Sequence, residues 1–287
     1  ELVDINRMRT EKQKISFIKM QGCGNDYIYI DCRKHKISNM ESIAVNLSDR
    51  HFGVGGDGVV FIEPSDVADI KMREFNADGS EGKMCGNAIR CVGKYIYDTG
   101  HVNRKEITVE TRSGVKKLWL FVRNNEVSSA KVDMGAPVFD AASIPVRLSG
   151  EVTDVPVRLA GGERRITCVS MGNPHCVIPV EDVDDIDIAS IGPAIENDPM
   201  FPDRVNVEFA QVLDETTVKV RVWERGTGET YACGTGTCAA VVALTRLGKF
   251  RQGDPVTVRL KGGVMAVQYT GDTGYLTGDA VEGYKRG

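Results

Sequence analysis

Met84-Cys85-Gly86-Asn87-Ala88-Ile89-Arg90 and Ala232-Cys233-Gly234-Thr235-Gly236-Thr237-Cys238 share one plan: a cysteine, a glycine, then residues able to run as a helix. Polar, glycine-containing loops lead into both. A Gly-Asn pair precedes each at the same interval, Gly24-Asn25 before Cys85 (85 − 25 = 60) and Gly172-Asn173 before Cys233 (233 − 173 = 60). The two frames are offset by 148 residues (173 − 25). One cysteine in a glycine-rich loop says little. Two in a duplicated frame predict two like groups facing each other across one site.

Outward from these loops the pattern repeats. In the first half, strands over 15–20 and 27–30 flank a glycine turn. Met40, Ile43, Ala44 and Leu47 recur on one helical face, and Ser38 with Glu41 has capping-box spacing. A glycine loop over 53–58 leads to a strand at 59–62. Another at 70–75 delivers the chain to Cys85. A helix over 88–97 follows, ended by Gly100, and strands at 107–111, 117–123 and 130–134 complete the half. The second half repeats this with strands at 166–170 and 176–180 around a turn at 171–175, and a helix bearing Ile188, Ile191 and Ile195. Strands at 205–210 and 218–224, a helix over 237–247, and strands at 256–260 and 264–269 finish it.

The expected fold class is α+β, with two pseudo-symmetric domains, each a mixed, mostly antiparallel sheet. The helix behind each cysteine is expected to be wrapped by its sheet, because Ala239-Ala240-Val241-Val242-Ala243-Leu244 is apolar on nearly every face. The linker falls near Gly135-Ala136-Pro137. The halves are therefore 15–134, carrying Cys85, and 135–278, carrying Cys233. Residues 1–14 are polar and charged and read as a flexible extension.

Composition narrows the partners. The net charge of −4 argues against a basic nucleic-acid surface. No apolar run approaches the roughly 20 residues that cross a bilayer, and residues 1–14 lack the apolar core of a signal peptide, so a cytoplasmic location is the default expectation. The eight cysteines include no CxxC pair, and the four histidines make no ligand pair at helical spacing, so no metal is expected. Cys32, Cys91, Cys168, Cys176 and Cys238 read as small buried hydrophobes.

The chemistry follows from the helix starts. Unpaired N–H groups and the positive end of the macrodipole favour a thiolate and any nearby anion. A carboxylate held between two such starts would find donors from both halves. Inverting a stereocentre by proton transfer needs a base on one face and an acid on the other. An α-amino acid with its Cα between two sulfurs, one thiolate and one thiol, satisfies that need. The thiol pKa, about 8.5 in peptides, is expected to fall toward neutrality at these helix starts. No pattern points to pyridoxal phosphate, and no cofactor is expected. Asn25, Asn76, Asn173 and Asn206 occupy matched loop or strand-end positions, and Arg225 suits a bidentate grip on a second carboxylate. His175 either orients a cysteine or caps a turn.

Met20-Gln21-Gly22-Cys23-Gly24-Asn25-Asp26-Tyr27, Phe75-Asn76-Ala77-Asp78-Gly79-Ser80-Glu81, Met84-Cys85-Gly86-Asn87, Met171-Gly172-Asn173-Pro174-His175-Cys176, Arg204-Val205-Asn206 and Glu224-Arg225-Gly226-Thr227-Gly228-Glu229-Thr230 with Cys233-Gly234-Thr235-Gly236 together resemble diaminopimelate epimerase. The resemblance runs from about residue 15 to the C-terminus. It implies a cofactor-independent enzyme interconverting LL- and meso-diaminopimelate, on the path to lysine and peptidoglycan, with two domains that close over the substrate. By motif, Cys85 and Cys233 become the acid/base pair, and Gly86, Asn87, Gly234 and Thr235 hold the reacting carboxylate. Asn76, Asn173, Asn206 and Arg225 bind the distal end. Asn25 and Glu224 line the site, while His175 and Glu224 tune the cysteines. Gln21 stands where many members carry His, and Gly58 where some carry a ligand-contacting Gln. The oligomeric state is left open between monomer and homodimer.

Three other readings remain. A proline or hydroxyproline racemase would carry Cys-Gly-His at the first cysteine, and its substrate lacks a second charged end. A redox switch would join Cys85 to Cys233 in a disulfide. A non-catalytic amino-acid binding module would need neither thiol.

Overall fold

The computed structural model describes residues 15–34, 36–159 and 162–286. The extension at 1–14 and His35 lie outside them. The first half runs β1 (Phe17–Gly22), β2 (Asn25–Asp31), α1 (Met40–Ser48), β3 (Gly58–Glu63), β4 (Ile70–Asn76), α2 (Gly86–Asp98), β5 (Glu106–Thr111), β6 (Gly114–Arg123) and β7 (Glu126–Asp133). The second runs β8 (Val155–Leu159), β9 (Gly162–Ser170), β10 (Pro174–Pro179), α3 (Ile188–Glu196), β11 (Asn206–Asp214), β12 (Thr217–Glu224), β13 (Gly228–Thr230), α4 (Gly234–Arg246), β14 (Pro255–Leu260), β15 (Gly263–Tyr269), β16 (Gly274–Asp279) and β17 (Val281–Arg286).

The pairing pattern is duplicated along with the sequence. β1–β2 and β9–β10 are antiparallel, and β2–β3 and β10–β11 are parallel. β3–β4 and β11–β12 are antiparallel, and β4–β5 and β12–β14 are parallel. Two further antiparallel steps follow in each half, through β7 and through β16. This is the two-domain α+β arrangement expected, with mixed sheets and few helices. The domains are joined at the sheet edges: β16 pairs antiparallel with β7, and β17 pairs antiparallel with β1.

The central helices are buried for different reasons: α4 has no polar face to give to water, whereas α2 buries Arg90 and Lys94 with their charges satisfied by hydrogen bonds. From Gly234 to Leu244, α4 has only Thr235 partly exposed. α2 buries ten of its thirteen residues, including Arg90 and Lys94. Both helices lie in one apolar cluster containing Ile89, Val92, Ile96, Val241, Leu244 and Leu276, so the cores of the two domains are continuous here. α1 and α3 cover the opposite sheet faces, each over its own smaller cluster.

Several sequence expectations are corrected. The α1 cap is Asn39, in a left-handed conformation (φ 60°) and without a side-chain cap bond, so Ser38 and Glu41 form no capping box. His175 is the second residue of strand β10 rather than part of a turn, which puts its ring on a rigid element. α2 and α4 begin at Gly86 and Gly234, immediately after the cysteines. β8, β13, β16 and β17 are not anticipated: Pro156 stands inside β8, β13 has only three residues, and glycines and charged residues interrupt the alternation of β16 and β17.

Candidate active site

Each cysteine is the N-cap of a central helix. Cys85 and Cys233 have extended backbone conformations, and each sulfur accepts an N–H from the first turn: Ala88 N at 3.4 Å and Gly236 N at 3.3 Å. The two helix starts abut. A Cβ on Gly234 would lie 3.3 Å from Gly86 Cα, and the Leu276 side chain packs against both glycines. Only glycine permits that approach. Cys85 and Cys233 thus flank a point where two sets of helix N–H groups converge.

Around Cys85, Asn25 Oδ1 lies 3.5 Å from the sulfur and accepts from Asn87 Nδ2 at 3.2 Å. Asn87 Nδ2 also reaches Ala232 O at 3.4 Å, tying the first loop to the second. Two residues missed at the sequence level fix these amides. Asp57 accepts from Asn25 Nδ2 at 2.7 Å. Arg90, fully buried, donates to Asn87 Oδ1 (3.0 Å), Gly86 O (2.9 Å) and Asp279 O (3.0 Å). In sequence Arg90 reads as an ordinary helical cation; only its burial gives it away.

Around Cys233, Thr235 Oγ1 stands 3.5 Å from the sulfur and accepts from Asn173 Nδ2 at 3.2 Å. Asn173 Oδ1 meets His175 Nε2 at 2.9 Å, and His175 Nδ1 meets Glu208 Oε1 at 2.7 Å, both side chains fully buried. His175 therefore reaches the cysteine loop through Asn173. Glu224 accepts from Thr230 Oγ1 at 2.7 Å, and its charge bears on Cys233. Asn206 accepts the Arg225 backbone N–H at 2.9 Å and donates to Pro174 O, while Arg225 Nη1 donates to Asp203 O. Asn76 bonds to Ser80 within its own turn. Its bonds do not tie it to the cysteine loops. Gly58 opens β3 opposite Asn76, and a Cβ there would fall 2.2 Å from Phe75 O and 2.8 Å from the Tyr27 ring. A ligand-contacting side chain cannot stand at 58 in this backbone.

The expected lowering of the thiol pKa values is overturned. Burial pushes Cys85 up strongly, the charge of Glu74 adds to it, and the N–H groups of Ala88 and Asn87 only partly oppose them. Burial likewise pushes Cys233 well up, helped by Glu224 and Glu208 against Thr235 and Gly236. Desolvation of the thiolate outweighs the helix start. The other five cysteines read as packing residues are buried, as expected.

The diaminopimelate epimerase family pattern matches residues 17–139 and 167–282, spanning both cysteine loops. The chain belongs to the diaminopimelate epimerase family. It is 49% identical over 269 residues to the diaminopimelate epimerase of Acetivibrio thermocellus, covering 93% of this chain and 95% of that protein. It is 50% identical over 276 residues to that of Desulfovibrio desulfuricans, covering 93% and 96%. The diaminopimelate epimerase fold extends to distant solved structures. A probable proline racemase from Agrobacterium radiobacter with bound carbonate superposes with TM-score 0.72 at 15% identity, covering 96% of this chain and 92% of that one. A PhzF-family phenazine biosynthesis protein from Bacillus anthracis gives 0.69 at 21%, covering 96% and 99%. Among the described residues no helix is long and apolar enough to cross a membrane, and no cluster of side chains could hold a metal ion.

Proposed function

We propose that this chain interconverts LL- and meso-2,6-diaminopimelate by moving the α-proton between two thiols, Cys85 and Cys233. The supporting observation is the abutment of α2 and α4 at Gly86 and Gly234 with one cysteine capping each. The halves 15–134 and 135–278 each supply one face of the site. The reacting carboxylate lies against the N–H groups of Gly86, Asn87, Gly234 and Thr235, where charge developing on it is stabilised. One sulfur takes the α-proton, the other delivers a proton to the opposite face, and the reverse reaction exchanges their roles.

Because both thiols are raised, both are protonated without substrate. The α-ammonium of the substrate supplies the nearby positive charge that favours a thiolate on binding. Asn25 orients Cys85, and Glu224 faces Cys233, with His175 acting through Asn173. Arg225, Asn206, Asn173 and Asn76 receive the distal amino-acid end, a charged group that proline would not offer. The free thiols suit a reducing cytoplasm.

The test is incubation with LL-diaminopimelate in deuterated water under reducing conditions. The expected product is the meso isomer carrying solvent deuterium at the inverted α-carbon, with no turnover of proline. Full epimerisation by Cys85→Ala would overturn the two-thiol reading.

A further inference from the structure

Two buried carboxylates occupy matching places in the two halves, and only one of them has a histidine partner. Glu208 on β11 pairs across the strand with Val222 on β12, and Glu74 on β4 pairs with Val60 on β3. The offset of 148 places Val60 at Glu208 (60 + 148) and Glu74 at Val222 (74 + 148). The acid has kept its cross-strand pair and changed strands. Each is held by the residue two beyond a site asparagine. His175, after Asn173, contacts Glu208 Oε1, and Tyr27, after Asn25, donates its hydroxyl to Glu74 Oε1 at 2.9 Å. In both, Oε2 is buried without a hydrogen-bond partner.

The first half is shaped to keep Glu74 there. Glycine at 58 leaves room for the Tyr27 ring, which a Cβ would crowd at 2.8 Å. The backbone at Gly82, three residues before Cys85, closes over the carboxylate; a Cβ there would stand 3.0 Å from Oε2. The groups acting on Glu74 from neighbouring elements are Tyr27 and Tyr29 on β2, Cys85 ahead of α2, and Glu224 on β12. All of them are acids.

We propose that Glu74 is a positioning residue of the first half-site: held by Tyr27 and walled in by Gly82, three residues before Cys85, it stands neutral while Cys85 exchanges its proton, and its ionisation locks Cys85 as thiol. The proposal rests on the two-thiol reading. Burial raises Glu74 to about 7, with Tyr27 opposing and Glu224 adding to the rise. Below that pH the carboxyl is neutral. Above it, the proton leaves to solvent and the new charge opposes a second charge on Cys85. Cys85 should therefore titrate over a stretched range, while Cys233 answers to Glu224 and Glu208.

The test follows alkylation of each cysteine by iodoacetamide between pH 6 and 9, by peptide mass mapping, in the wild type and in Glu74→Gln. Glutamine keeps the size and an acceptor for Tyr27 but cannot ionise. At pH 8 Cys85 should react about three- to tenfold faster in Glu74→Gln, with Cys233 unchanged and the pH profile of kcat/KM moved to lower pH. Glu74→Asp should restore part of the wild-type profile. Unchanged Cys85 kinetics, or equal acceleration of both cysteines as in a loosened fold, would overturn the proposal. A shifted Cys85 profile with an unmoved epimerisation profile would instead overturn the two-thiol reading.

Discussion

Gly86 and Gly234 meet backbone to backbone, so that a single Cβ on Gly234 would press to 3.3 Å on Gly86 Cα and to 3.1 Å on the Leu276 side chain. The site is therefore set by how closely two helix starts can approach. Overpacking of this kind costs about 1–3 kcal/mol. Gly234→Ala should lose roughly that much stability by urea unfolding. A misplacement of about 1 Å costs on the order of 100-fold in rate, so kcat/KM should fall by about that factor. Wild-type turnover in this variant would show that the close approach is dispensable.

Arg225 is held from its backbone by Asn206 and from its guanidinium by Asp203 O. If it grips the distal carboxylate, Arg225→Met removes a charged hydrogen bond of about 1.5–3 kcal/mol. The expected loss is about 10- to 100-fold in kcat/KM for diaminopimelate. Arg225→Lys should recover little of it, because a point charge does not reproduce the planar fork.

Arg90, fully buried, satisfies three acceptors. Replacing it with methionine takes the donor from Asn87 Oδ1 and removes the side-chain bonds to Gly86 O and Asp279 O, at about 1–3 kcal/mol for a buried acceptor left without a partner. Thermal unfolding should register the loss. Asn87 would also be free to turn from Asn25 and Ala232, so kcat should fall in whatever fraction remains folded.

Glu74 also makes a stability prediction with a definite sign. Its folded pKa, about 7, lies above the ordinary 4.5. Between those values the native state binds more protons than the unfolded chain, so the group's contribution falls as pH rises. It is fully present below about 4.5 and gone above about 7. The stability of wild type relative to Glu74→Gln, from urea unfolding at pH 5 and pH 8, should drop by about 1–3 kcal/mol. A difference that stays flat or grows with pH would contradict the raised value.

The duplicated frame made the cysteines, the asparagines and the central helices legible in the sequence, because turn glycines and apolar periodicity are local signals. Glu74 and Glu208 were not legible as a pair: at the 148-residue offset each acid faces a valine, and only sheet register shows that they fill the same cross-strand pair. Burial was equally hidden. It makes Arg90 a site residue rather than a surface cation, and it reverses the expected direction of the thiol shifts. Strands β16 and β17 escaped because Gly-Tyr-Leu-Thr-Gly-Asp and Val-Glu-Gly-Tyr-Lys-Arg carry too few apolar residues to read as strands.

The pairing of β17 with β1 bears on how the protein is made. During synthesis β1 emerges early and must wait for a partner encoded across the whole described length, Phe17 finally lying opposite Arg286. Until then that side of β1 is an open edge that any other strand can join. Contacts so distant along the chain form slowly. A nascent chain stopped before Val281 would have Cys85, Cys233 and both central helices, yet would leave β1 without its second partner.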